Sequence, residues 1–226
     1  MSAKVGSSLG RGGIGAESYS ARYSAAFPHL INAEGGYSDH AADRGGATKY
    51  GISLRFLVAE GKVDLNRDGV ADFDLDMDGD IDAADIRALT IDHAKALYWR
   101  CFWLPVRAEQ FPRPLGEAMF DQAVNGGLVS ARKLLQRAVN LCLMQAERAG
   151  GMKHILKVDG EIGPATSSAV LWVLQYPAQG MPALLRAFRD AVKERYRAIA
   201  ARDPSQAVFL KGWLARADRL GRDGAA

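Results

Sequence analysis

The 226-residue chain has only two cysteines, Cys101 and Cys142, each in an apolar helical context. That excludes a disulfide scaffold and favours two buried free thiols. No apolar run approaches the roughly 18 residues that a bilayer span requires, so a transmembrane helix is excluded. Met1-Ser2-Ala3-Lys4-Val5-Gly6 leads into Gly and Ser rather than an apolar stretch, so no secretory signal is expected and synthesis in the cytoplasm is. A nucleic-acid motif is missing, as is a basic stripe interleaved with aromatics. Basic residues nearly vanish over 64–85, where Arg67 is alone among nine Asp. That stretch carries −8, so a net charge of +3 leaves +11 on the remainder, a basic body suited to polyanions.

What is present is organised around residues 34–53, EGGYSDHAADRGGATKYGIS. The apolar pattern Tyr23 to Ile31 reads as a helix running into Glu34, with Gly35-Gly36 as its stop. An anion at the negative end of a helix dipole is not there for helix stability, and a raised pKa is the expected result, as a general acid requires. The plain alternative is a solvated glutamate at a helix end. Asp43 and Thr48 follow in a Gly-rich segment bounded by Tyr37 and Tyr50, which predicts a β-like turn or hairpin. Such a turn can bring Asp43 and Thr48 to face Glu34, and two carboxyls in unlike surroundings are the minimum for cleaving a glycosidic bond.

The combination E-G-G-Y, D-x-G-G-x-T and Y-G-I-S resembles the signature of glycoside hydrolase family 108, N-acetylmuramidases found as phage endolysins and as bacterial muramidases that assist secretion. The order Glu-x8-Asp-x4-Thr is also similar to that of phage-type lysozymes, which have one more residue before the Thr. The resemblance implies Glu34 as catalytic acid, Asp43 as partner carboxylate, Thr48 as the group that orients water, and Tyr37 and Tyr50 beside the substrate. It extends over residues 20–221 apart from the acidic stretch. Phe120-Asp121-Gln122-Ala123-Val124-Asn125-Gly126-Gly127 looks like the family's F-D-x-A-V-N-x-G element, and Val158 to Thr166 resembles the V-D-G-x-I-G-P-x-T element of small peptidoglycan-binding modules. Asp121 and Asn125, spaced i, i+4 with Glu117 on the same face, either hydrogen-bond a neighbouring loop or reach the saccharide. Trp99, Phe102 and Trp103 either line a sugar groove or pack in the core.

The acidic stretch is a second, independent motif. Asp74, Asp76 and Asp78 fall at positions 1, 3 and 5 of an EF-hand-type loop, Gly79 at the sharp turn, Asp80 at the backbone-ligand position, Asp82 at position 9 and Asp85 at position 12. Asp at position 12 resembles dockerin-type loops. Asp64, Asn66, Asp68, Gly69 and Asp72 repeat the pattern ten residues earlier, but Leu75 stands where the twelfth ligand belongs. One or two structural Ca2+ ions are expected, and no cofactor for the chemistry.

Around these motifs the periodicity is helical. Ser53 caps a helix over 54–60 that Gly61 ends, Thr90 caps the next, Pro105 breaks it, and further helices fit 129–148, 164–175, 180–201 and 205–221. The expectation is a mainly α, lysozyme-like fold with a small β-hairpin and an inserted calcium loop. Its parts are an arm (1–16), a catalytic region (17–127) with the insertion (64–85), a helical peptidoglycan-binding-like region (128–221) and a tail (222–226). The expected partner is the peptidoglycan glycan strand, with no nucleic acid, and the expected state a monomer. Action in the periplasm or cell wall would follow release by a holin or a secretion route. The rivals are a non-catalytic peptidoglycan-binding or secretion-accessory protein on the same fold, and a lytic transglycosylase.

Overall fold

The computed structural model describes residues 18–31, 36–38, 46–65, 67–148 and 155–222. They are mainly helical and belong to two compact units, Met1–Cys101 and Phe102–Ala226. Among the described residues no helix is long and apolar enough to cross a membrane.

In the N-terminal unit, Ser20 starts α1 (Ala21–Leu30) by accepting the Tyr23 N–H at 3.0 Å. Tyr23, Ala26 and Phe27, at helical spacing, form its buried face. The Tyr23 ring packs against Trp99 at 4.9 Å and Phe27 at 5.8 Å, and its hydroxyl donates to the Lys95 carbonyl at 2.6 Å. The helix ends before the double glycine: Ile31 is already extended, with φ −84° and ψ 104°. Pro28 in the last turn has no N–H with which to continue the ladder. Strands β1 (Thr48–Lys49) and β2 (Ile52–Ser53) form an antiparallel hairpin that feeds directly into α2 (Leu54–Glu60). Ser53 caps α2 and Gly61 follows its end, as the sequence predicts. Two short helices come after the acidic stretch. Asp82 and Asp85 form a capping box on α3 (Ala83–Ala88), and Thr90 and His93 form one on α4 (Ile91–Tyr98).

The chain leaves this unit through a π-helical turn, Trp99–Trp103. Pro105 does not break the run as expected. It lies inside α5 (Leu104–Val106), in a first turn where no N–H is needed, and the chain instead turns at Arg107, whose φ is +58°. The C-terminal unit is built from α6 (Leu115–Gly126), α7 (Leu128–Arg148), α8 (Pro164–Gln175), α9 (Gly180–Arg202) and α10 (Leu210–Arg219). The long helices α7 and α9 pack on each other; α6 lies on α7, and α8 and α10 on α9. Trp103, Met119, Phe120, Leu135, Val139 and Phe188 are buried in its core. Trp103 is thus a core residue, edge-on to Phe120 at 5.1 Å. The last expected helix is in two pieces. Asp203 accepts from the Ser205 N–H and opens a 3-10 stretch, Pro204–Phe209, that buries nothing, and α10 begins only after it. Both cysteines are free, and burial pushes the Cys142 thiol up to about 11.

Candidate active site and acidic turns

Glu34 and Asp43 lie outside the described residues. What the structure describes is the frame around them. Thr48 pairs with Ser38 in both directions, its N–H donating to the Ser38 carbonyl at 2.7 Å and its carbonyl accepting from the Ser38 N–H at 2.9 Å. Residues 38 and 48 are therefore clamped together. From Thr48 the chain turns through Tyr50 and Gly51, with φ of +51° and +75°, a two-residue turn of the primed kind that suits the strand twist. A side chain at Gly51 would meet the Tyr98 hydroxyl at 2.5 Å, and that hydroxyl donates to the Tyr50 carbonyl at 3.3 Å. The hairpin is thereby fixed to α4. Thr48 donates its hydroxyl to the Gly46 carbonyl at 3.3 Å, Tyr37 is half-exposed beneath the Arg87 guanidinium, and the Lys49 ammonium lies over the Tyr50 ring. Thr48 and Tyr50 thus belong to one small β-hairpin, with Tyr37 next to the Ser38 bridge; its turn is at Tyr50-Gly51, whereas residues 39–45, where the glycine-rich turn is expected, lie outside the described residues.

The acidic stretch folds as two successive turns of the same design. Asp74 accepts from the amides of Asp78 at 3.1 Å and Gly79 at 2.9 Å, and Asp78 accepts from Asp80 at 3.1 Å. Asp85 closes the loop, accepting from Leu75 at 2.6 Å and Asp82 at 2.7 Å. Met77 and Gly79 take positive φ, +65° and +100°, which turns the backbone sharply within the loop. One carboxylate oxygen each of Asp74, Asp76 and Asp78 lie within 4.8 Å of one another, and so do one each of Asp80, Asp82 and Asp85. Such crowding has an electrostatic cost. Loss of solvent, then Asp78 and Asp85, push the Asp76 carboxyl above its ordinary range, and Asp78 above all raises that of Asp80. In the preceding turn Asp64, Asp68 and Asp72 are described, while Asn66 is outside the described residues.

In the C-terminal unit the polar residues are held by the protein itself. The Arg216 guanidinium donates to both oxygens of Asp121, at 3.0 and 3.2 Å, tying α6 to α10, and the Asn125 amide donates to the Asp121 carbonyl at 2.8 Å. Glu117 is buried and paired with Arg113 at 3.0 Å. Of the two alternatives for Asp121 and Asn125, these bonds supply the protein partners, on a helix rather than a loop. The Val158–Thr166 element is organised by a residue that the motif does not contain. Gln136, on α7 and 1% exposed, accepts from the Gly160 N–H at 2.8 Å and donates to the Asp159 carboxylate at 2.9 Å and the Glu161 carbonyl at 3.0 Å. That bond, with the Glu161 amide, holds the Asp159 carboxyl below the usual range. Asn140, one helical turn on, both donates to and accepts from the Leu156 backbone. Only their place on an otherwise apolar helix face could have revealed Gln136 and Asn140. Beside this turn α7 and α9 border a hollow of ≈ 330 Å³ lined by Lys133, Arg137 and Arg195 with Val129, Ser130 and Leu134, and among the described residues no carboxylate lines it. Arg195 is fixed there by donating to Ser130 Oγ at 2.6 Å.

Comparison with known proteins extends this picture. Residues 27–127 match the family described as Glycosyl hydrolase 108, and residues 130–218 match the family described as Predicted Peptidoglycan domain. A glycosidase module followed by a peptidoglycan module is the class of protein that these matches define. Residues 27–127 thus form a glycoside hydrolase family 108 domain, and Glu34, Asp43, Thr48 and the whole acidic stretch fall inside the matched segment. Among solved structures, that of Brucella abortus SagA is similar, with a TM-score of 0.59 and 25% identity over 91% of this chain and 98% of that chain. No curated protein matches the chain.

Proposed function

We propose that the chain is an N-acetylmuramidase that hydrolyses the β-1,4 bond between N-acetylmuramic acid and N-acetylglucosamine and so lyses bacterial walls. The observation that carries this reading is the family match across Glu34, Asp43 and Thr48, beside which stands the clamp of Thr48 to Ser38. Glu34 protonates the leaving oxygen. Asp43 stays ionised, and activation of a water held by Thr48 gives inversion whereas direct attack by Asp43 gives retention. The C-terminal unit holds the wall. It carries 18 Lys and Arg against 11 Asp and Glu, a net of +7, and its hollow suits the carboxylates of peptide stems. The setting that fits is phage or prophage lysis, with access to the wall through a holin or a secretion route.

The 74–85 loop is assigned a structural cation of the calcium class, on the strength of its hard oxygen ligands at alternate positions around Gly79.

The test is reducing-sugar release from purified wall by the parent and by Glu34→Gln, together with a pull-down on the same insoluble wall. The muramidase reading expects release by the parent, none by the variant, and equal binding by both. Binding without release by either protein would favour an accessory role on this fold.

A further inference from the structure

Two cations stand on the two tyrosines beside Thr48. The Arg87 guanidinium lies over the Tyr37 ring at 5.1 Å, and the Lys49 ammonium over the Tyr50 ring at 5.5 Å. The two are joined, because the Lys49 ammonium donates to the Arg87 carbonyl. Tyr37 ends the E-G-G-Y signature that Glu34 begins, and Tyr50 opens Y-G-I-S. Arg87 and Tyr37 both reach solvent.

Arg87 comes from outside the signature. It sits on α3, the helix in which the acidic stretch ends, and the carboxylates of that stretch hold the start of the helix. Asp82 and Asp85 form its capping box, and Asp85 also accepts from the Leu75 amide at 2.6 Å, so loop and helix share one carboxylate. The preceding turn is closed within itself, Asp72 accepting from the Leu65 amide at 3.0 Å. The other end of α3 is tied to β1 by the Lys49 bond. A six-residue helix fixed at both ends thus delivers one guanidinium to the tyrosine of the signature.

Charge makes this placement informative. The N-terminal unit is acidic overall, with the nine Asp of 64–85 gathered just before and at the start of α3. A glycan with carboxylates on alternate sugars is repelled by such a field unless cations stand where it docks. An arginine that stacks on a ring uses its face, and the N–H groups that grip a carboxylate in pairs lie in the guanidinium plane. Of the two sugars of the strand only muramic acid offers such a group, on its lactyl ether or on the peptide stem that extends it.

We infer that Arg87, seated on Tyr37 and backed by Lys49, is a specificity-determining residue that takes the carboxylate arm of the muramic acid unit. The acidic insertion serves the hairpin by holding the helix that delivers it. This rests on the muramidase reading and adds to it the group that tells muramic acid from its neutral neighbour.

The experiment is titration calorimetry of the full chain carrying Glu34→Gln. The probes are a tetrasaccharide of alternating N-acetylglucosamine and N-acetylmuramic acid with free lactyl carboxylates, and the same tetrasaccharide with those carboxyls converted to amides. The carboxylate form should bind more tightly by about tenfold or more. Adding Arg87→Ala should remove most of that preference by weakening the carboxylate form alone. Arg87→Lys should keep part of it, since the charge remains while the paired grip is lost. Arg55→Ala, which deletes an exposed cation of α2, controls for bulk charge and should leave the preference intact. Melting curves check folding, and Arg87→Lys decides the matter should Arg87→Ala fail to fold. A preference absent from the starting chain, unmoved by the Arg87 variants, or lowered as much by Arg55→Ala, would overturn the inference. The muramidase reading fails separately, if the parent releases no reducing sugar from wall whatever preference is found.

Discussion

The two units solve the problem of placing polar groups in opposite ways. In Met1–Cys101 the elements are short, the net charge is −4 from 11 basic and 15 acidic residues, and the polar side chains of interest lie in turns: the hairpin at Thr48 and the two carboxylate turns over 64–85. In Phe102–Ala226 the helices are long, the charge is +7, and the critical polar groups are buried on helix faces, where Gln136 and Asn140 staple an irregular segment to α7. Where elements are short, side chains such as Asp76 and Asp80 remain exposed to solvent and ligand, while Asp74 and Asp85 are held by the turn's own amides. Where they are long, the same polar groups are consumed by the protein. Chemistry is expected from the first unit, and surface binding from the second.

The sharpest way to break that division is through activity. Glu34→Gln should lower wall hydrolysis by about 10²–10⁴-fold with an unchanged melting curve, since general acid catalysis contributes on that scale. Reversing charge in the hollow, Arg137→Glu, should weaken wall retention in a salt-dependent way and leave turnover on short soluble fragments alone. If Arg137→Glu abolished turnover on soluble fragments, the division of labour would be wrong.

Stability separates the units next. A ligand that binds only the folded state stabilises it by about 2.7 kcal/mol at a hundredfold excess over Kd, so EDTA should lower melting of the calcium-loaded protein and calcium should restore it. Gln136→Leu should cost about 1–3 kcal/mol by stranding the Gly160 N–H and its other partners, and should not change the response to EDTA. An unchanged melting curve with and without chelator would remove the metal from the account of the first unit.

The smallest effect is with pH. The Asp159 carboxyl is held below its ordinary value of 3.8 in the folded state, so the stability it contributes is complete above that pH and is lost as pH falls through the depressed folded value. Acid titration of melting should show Asp159→Asn with a shallower loss than the parent below about pH 4. Coincident acid limbs would show that the Gln136 bond does not hold this carboxylate.

Much of this was readable from local chemistry. Ser53 before α2, Thr90 before α4, Pro164 opening α8 and the Gly-rich hairpin each announce themselves through capping or turn preference, which depend on neighbours in sequence. The early end of α1 at Ile31, the passage of the helix through Pro105 and the closure of a turn by Asp72 were not. Each depends on what a residue meets after folding: where in a turn a proline falls, or which amide a carboxylate reaches. Asp121 is the same lesson, since only the three-dimensional position of Arg216, 95 residues away, commits its carboxylate.

The central claim is the bond that the protein cuts. Mass analysis of muropeptides released from purified wall reads it directly. The account predicts fragments ending in a reducing N-acetylmuramic acid that carries the added water, absent with Glu34→Gln. Anhydro-muramic termini, or fragments ending in N-acetylglucosamine, would contradict it.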